Sequence, residues 1–356
     1  MPRRPLFAVA PFAVGLLLSA AAPADAGPKD YLKEPGQWFA SEEAARIGAN
    51  VLSHQSDGGG WPKNVDTAAE PHRGDRGQLQ GTYDNGATTD ELRLLAKLYN
   101  ATRDDRYREA FDRGFTYVLE GQYANGGWPQ FHPPGEKYHR HITFNDDAMV
   151  RLMRFAREVA ESKTYQFVDP ARRQAAGNAF DRGVECILRC QIRVNGQLTA
   201  WCAQHDEVDF RPRPARTFEL ATLSGAESVS LTQLLMSLED PSPEVIRAVD
   251  AAVVWFESAK LTGIREDRVQ DAGSERGFNK VVVNDPDAPP LWARFYDIET
   301  NAPVFVDRDG VPRPNLADIG DERRNGYAWY GTWPEKVLGD EYQEWKQRIA
   351  ADAARE

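Results

Sequence analysis

The chain has 356 residues, 41% hydrophobic and 27% charged, with a formal net charge of -11. This length can bury a sizeable core, while the acidic balance argues against nucleic acid or an anionic membrane surface as a partner. The three cysteines, Cys186, Cys190 and Cys202, do not form a disulfide framework, and no CxxC pattern points to structural zinc.

At the N-terminus, Arg3 and Arg4 precede an apolar run from Leu6 to Ala22, followed by Ala24-Asp25-Ala26. A charged start, a short apolar run and a small-residue cleavage site predict a signal peptide over residues 1–26. The protein is then expected to be secreted or periplasmic, with residues 27–356 as a single domain.

Apolar residues recur at three- and four-residue spacing over 42–52, 88–99, 106–120, 147–160, 171–190, 226–238 and 242–261. That periodicity predicts helices. Between the first pair lies Gly58-Gly59-Gly60-Trp61-Pro62-Lys63-Asn64, and between the second pair Asn125-Gly126-Gly127-Trp128-Pro129-Gln130-Phe131. A weaker third copy ends at Trp201, and Gln55, Gln122 and Gln191 stand before the three loops. Helix pairs repeating at about 70 residues predict an all-α fold, an α/α toroid of about three helical hairpins. The stretch 264–340 is rich in Pro, Asp and aromatics and is expected to lie irregularly over the rim. Short extended pieces are expected at 280–284, near Phe295 and at 304–306, and a last surface helix at 341–356.

An acidic cluster follows each of the first two loops: Tyr83-Asp84-Asn85, then Phe144-Asn145-Asp146-Asp147. Repeat-matched clusters should face a common centre. Asp84, Asn85 and Asp146 supply the hard oxygen ligands that calcium takes. Asp90 and Asp147 read instead as helix caps. At the matching phase of the third copy stands Arg216, so a base is expected opposite the carboxylates. Lys63, Arg294, Arg323 and Arg324 are candidates to grip a substrate carboxylate, and aromatic rings such as Tyr330 to stack on a sugar.

The segments 58–64, 82–99, 125–131, 142–153, 215–228, 292–310 and 322–334 together resemble the family 10 polysaccharide lyases, which are pectate lyases. The resemblance implies an α/α toroid and a calcium-dependent enzyme that cleaves polygalacturonate by β-elimination. It also implies that Asp84, Asn85 and Asp146 hold the calcium and that Arg216 is the catalytic base. A monomer acting on an acidic polysaccharide is expected. Two other readings use the same residues. One is a uronate glycoside hydrolase on an α/α barrel, with Asp84 and Asp146 as acid and base; the other is a non-catalytic carbohydrate-binding protein.

Overall fold

The computed structural model describes residues 27–353, so the expected signal peptide lies outside the described residues. A single turn, α1 (Pro28–Tyr31), comes first. In α2 (Glu42–Ser53) the Ser41 hydroxyl accepts from the Ala44 amide at 3.1 Å, with Glu42 and Glu43 in the first turn. Both features satisfy or complement the exposed amides of a helix start. Next come α3 (Thr89–Thr102) and α4 (Asp105–Glu120), the latter capped by Asp104. Then follow α5 (Ala148–Glu161), α6 (Pro170–Cys190), α7 (Glu227–Met236) and α8 (Pro243–Ser258). Each helix expected from periodicity is therefore present, with ends moved by a few residues. The chain closes with the short α9 (Asp321–Gly326) and with α10 (Tyr342–Ala353).

Two rows of helices emerge from the packing. Helices α2, α4, α6 and α8 touch in that order, as do α3, α5 and α7, and the rows meet through α2–α3, α3–α4, α5–α6 and α7–α8. The residues just before α3 touch those just before α5, and these in turn touch α7. One end of the second row thus gathers the acid-bearing segments.

The Trp loops are the joints of this arrangement. Trp61, Trp128 and Trp201 are fully buried, and their indole nitrogens donate to the carbonyls of Val51, Val118 and Ile187 at 2.7, 2.9 and 2.8 Å. Trp292 does the same to Phe256 at 2.8 Å, a fourth joint after α8 that the repeat wording does not announce. The glutamines tie each loop to the next unit. Gln122 Nε2 donates to Gly126 O at 2.9 Å and to Ala179 O of α6 at 2.8 Å. Gln55 and Gln191 make the equivalent pairs with Gly59 and Ala110, and with Thr199 and Ala248. Gly59 and Gly126 sit at φ of +99° and +91°, where an added Cβ would come within 2.7 and 2.0 Å of the carbonyl oxygens of Arg113 and Arg182. Only glycine permits that approach.

The tail differs from expectation. It is more ordered than an irregular cover, because Ile264–Gln270 and Phe278–Asn284 form an antiparallel hairpin in register from Ile264↔Asn284 to Gln270↔Phe278. It also has an apolar cluster of its own, Phe295, Phe305, Leu316, Ile319 and Trp329. A two-residue ladder, Leu223↔Tyr296, stitches the tail to the third helical unit, and another, Tyr330↔Ala293, closes the tail on itself. The final helix is not purely superficial either, since Trp345 is buried against the main core.

Candidate active site

The first acidic segment is a tight turn over Asp84–Gly86 in which Asn85 takes a left-handed φ of 55°. Asp84 is buried, and its Oδ2 accepts from Gln130 Nε2 at 2.6 Å and pairs with Lys63 Nζ. Its Oδ1 is buried with no protein partner. Asn85 is exposed and donates to Asn64 Oδ1 at 3.3 Å. Lys63 and Gln130 each follow a Trp-Pro pair, so the two loops converge on the same carboxylate.

The second segment repeats the geometry. Asp146 has φ 50° and Asp147 φ 62°, directly before α5. Asp146 Oδ2 accepts from Asn145 Nδ2 at 2.6 Å and its Oδ1 from Arg294 Nη2 at 3.2 Å. Burial pushes the Asp146 carboxyl above the usual aspartate range, opposed by Arg294 and reinforced by the nearby charges of Glu227 and Asp84. Asp147 does stand at the N-cap position of α5, but its side chain makes no capping bond and instead accepts from Ser230 Oγ at 2.5 Å on α7. The reading of Asp90 as a cap is corrected, because it lies inside the first turn of α3 against Arg93 at 3.3 Å.

The third unit corrects the expected phase. The amides of Thr82, Thr143 and Ser224 donate to the carbonyls of Trp61, Trp128 and Trp201 at 3.0, 3.0 and 2.7 Å. Ser224 therefore stands where Thr82 and Thr143 stand, and the third acid is Glu227, not a residue near 216. Glu227 is buried, accepts from Ser224 Oγ and pairs with Arg294. Burial would lower the basicity of Arg294, but the charges of Glu227 and Asp146 raise it above the ordinary arginine range.

Arg216 lies in the loop before this segment and reaches the same neighbourhood from the other side. Its Nε and Nη2 grip the buried Glu219 at 2.8 and 2.5 Å. Those hydrogen bonds hold its guanidinium more firmly charged than a free arginine. Three guanidiniums surround the Phe218 ring: Arg323, Arg216 and Arg308, at 4.2, 4.7 and 5.5 Å from its centroid. Arg323 is buried, and desolvation lowers its basicity, helped by the charges of Arg308 and Arg216. Tyr327 joins the halves, donating to Glu219 Oε1 at 3.1 Å with Arg294 at 5.0 Å over its ring.

Of the residues singled out in the sequence, Asp84, Asn85 and Lys63 come together, Asp146 and Arg294 form a contact, and Arg216 and Arg323 share Phe218. Arg324 and Tyr330 are placed apart. They line a separate recess of about 640 Å³. Arg324 there fastens Asn279 of the hairpin and the Ile319 carbonyl, both at 2.7 Å. Sequence reasoning missed Gln130, Glu219, Glu227 and Tyr327. Only Gln130 left a signal, through its match to Lys63 in the repeat.

Among the described residues, one other group of ligating side chains, His141, Asp206 and Glu207, has its ligand atoms within 4.8 Å of one another. Arg140 and Arg213 already neutralise its carboxylates at 2.5 and 2.6 Å, so it is a set of ion pairs.

A two-row helical body with hard oxygens, paired arginines and buried carboxylates at one end defines a class of enzyme, and the comparisons say which. The sequence profile of the pectic acid lyase family matches residues 55–338. The chain belongs to that family, the family 10 polysaccharide lyases. It is similar to the solved structure of a family 10 polysaccharide lyase from Cellvibrio cellulosa, with 33% identity over 87% of this chain and 96% of that one, at a TM-score of 0.75. It is equally similar to a mutant family 10 lyase from the same organism in complex with trigalacturonic acid, with 32% identity, coverage of 86% and 97%, and a TM-score of 0.75. No curated protein matches the chain.

Proposed function

We propose that this protein is an exported pectate lyase that cleaves α-1,4-polygalacturonate by calcium-assisted β-elimination, with Arg216 as the base. The two helical rows are read as an α/α toroid, and residues 27–356 as one catalytic domain acting as a monomer. The N-terminal pattern supports export, and among the described residues no helix is long and apolar enough to cross a membrane. The galacturonate oligomer bound by the Cellvibrio relative supports the substrate class.

The observation that carries this reading is the unpartnered, buried Asp84 Oδ1 beside Asn85, in a site that also holds Asp146. A buried carboxylate oxygen without a partner costs about 1–3 kcal/mol, and a hard cation removes that cost. Asp84, Asn85 and Asp146 would hold calcium. When bound, calcium neutralises the uronate carboxylate and so lowers the cost of negative charge developing beside C5.

Lys63 and Arg294 stand next to these oxygens and would orient the uronate carboxylate. In the elimination the base removes the proton from C5. The C5–H electron pair forms the C4–C5 double bond, the C4–O bond breaks, and the leaving oxygen is protonated. Arg216 can accept a proton only as neutral guanidine, which Glu219 opposes and the neighbouring Arg308 and Arg323 favour. The working range is therefore alkaline.

The test is release of an unsaturated, ultraviolet-absorbing product from polygalacturonate, with and without chelator. Hydrolysis without that absorbance would support the glycosidase alternative, and binding without cleavage the carbohydrate-binding one. Arg216→Ala should lower kcat by at least about a hundredfold.

A further inference from the structure

Lys63 and Asn85 also line a recess of about 550 Å³ between the Trp61 loop, the first turn of α3 and the N-terminal turn α1. Its polar wall includes Lys29, Lys63, Asn64, Asn85, Asp90 and Glu91. The roles proposed for catalysis make no use of Asp90, Glu91 or Lys29.

Glu91 is the informative residue. It is 3% exposed, its Oε1 accepts from Thr67 Oγ1 at 2.9 Å, and its Oε2 has no protein partner. Burial pushes this carboxyl up to about 7, so it carries a negative charge in the alkaline range. Such an oxygen is satisfied by a donor from a ligand, and a sugar hydroxyl is a suitable one. The charge of this wall is opposite to that of the uronate-gripping side. Asp90 is held by Arg93 and Lys63 by Asp84, so Asp66 and Glu91, both acidic and in no ion pair among the described residues, are offset in this lining by Lys29 alone.

We propose that this recess is a further saccharide subsite that takes an uncharged unit, a galacturonate with an esterified carboxyl, and that Glu91 accepts one of its hydroxyls. A free uronate placed there meets like charge; its ester does not. The proposal rests on the lyase reading for the identity of the chain that enters the cleft. It makes Glu91 a determinant of esterification pattern, not of the elimination itself.

The experiment measures binding, in an Arg216→Ala background so that the ligand stays intact. Calorimetry at alkaline pH with calcium gives the Kd for oligogalacturonates with and without methyl esters. Glu91→Gln should reduce the preference for the esterified oligomer by about fivefold, the worth of one nearby charge. Lys29→Glu, on an exposed turn that tolerates substitution, should increase it by a similar factor. Preferences that stay put, or that move in the same direction in both variants, overturn the subsite, as does the absence of binding by either oligomer. Failure of the lyase reading shows separately, as wild-type protein that releases no unsaturated product.

Discussion

Glu219, buried beneath the loop, holds the Arg216 guanidinium by two side-chain hydrogen bonds of 2.8 and 2.5 Å. This pair sets how much neutral guanidine exists at a given pH. Removing the anion removes what stabilises the cation, so Glu219→Gln should bring the Arg216 pKa down. The rising alkaline limb of kcat/KM should then move to lower pH by about one unit or more. The check is a pH–rate profile of both enzymes. A profile that falls at every pH without moving would mean that Arg216 acts only as a fixed cation.

Calcium should stabilise the folded protein through Asp84. A ligand bound only by the native state adds about 2.7 kcal/mol at a hundredfold excess over its Kd. Thermal unfolding of wild type should therefore shift upward with added calcium, and Asp84→Asn should lose most of that shift. Exhaustive chelation should abolish product formation, with recovery on adding calcium back.

Glu91 predicts an acid-side gain in stability. Its folded pKa is about 7, against an ordinary value of 4.5. The native state thus keeps its proton where the unfolded chain has lost it. The contribution is fully present below pH 4.5, declines as pH rises, and is gone above pH 7. The shift corresponds to about 3 kcal/mol. Urea unfolding across this window should show wild type losing stability on this account, whereas Glu91→Gln should lack that component.

Arg294 couples stability to the site, because it neutralises the buried Glu227 while reaching Asp146 at 3.2 Å. Arg294→Ala leaves a buried carboxylate unpaired and should cost about 3–5 kcal/mol. Adding Glu227→Gln should restore most of that loss without restoring activity. Denaturant unfolding and turnover, measured on the single and double variants, separate the two effects. Recovery of activity along with stability would reduce Arg294 to a structural role.

Much of this protein is written in local pattern. The helix periodicities, the Trp61 and Trp128 loops and the acids after them follow from spacing alone, because an amphipathic helix must bury one stripe and a loop with a fixed function keeps its wording. Asp84, Asn85 and Asp146 were legible for that reason, and so was the repeat as an organising device. The phase of the third unit was not. The spacing from the Trp to the acid differs in every unit, 23 residues in the first, 18 in the second and 26 in the third, so counting does not fix the third position, whereas the backbone register points to Glu227. Only the hydrogen bond from Ser224 to the Trp201 carbonyl decides between Arg216 and Glu227.

The sequence by itself determined the helical units, the acidic turns and the arginines of the tail. The tertiary structure decided which base meets which acid. Arg323 and Arg324 are neighbours in the chain, yet one joins Arg216 around Phe218 and the other fastens the hairpin. Glu219 and Glu227 look like ordinary surface glutamates in a string of letters, but packing buries them against Arg216 and Arg294 as ion pairs. Charge pairing depends on distance and desolvation, and neither exists until residues far apart in the chain are packed together.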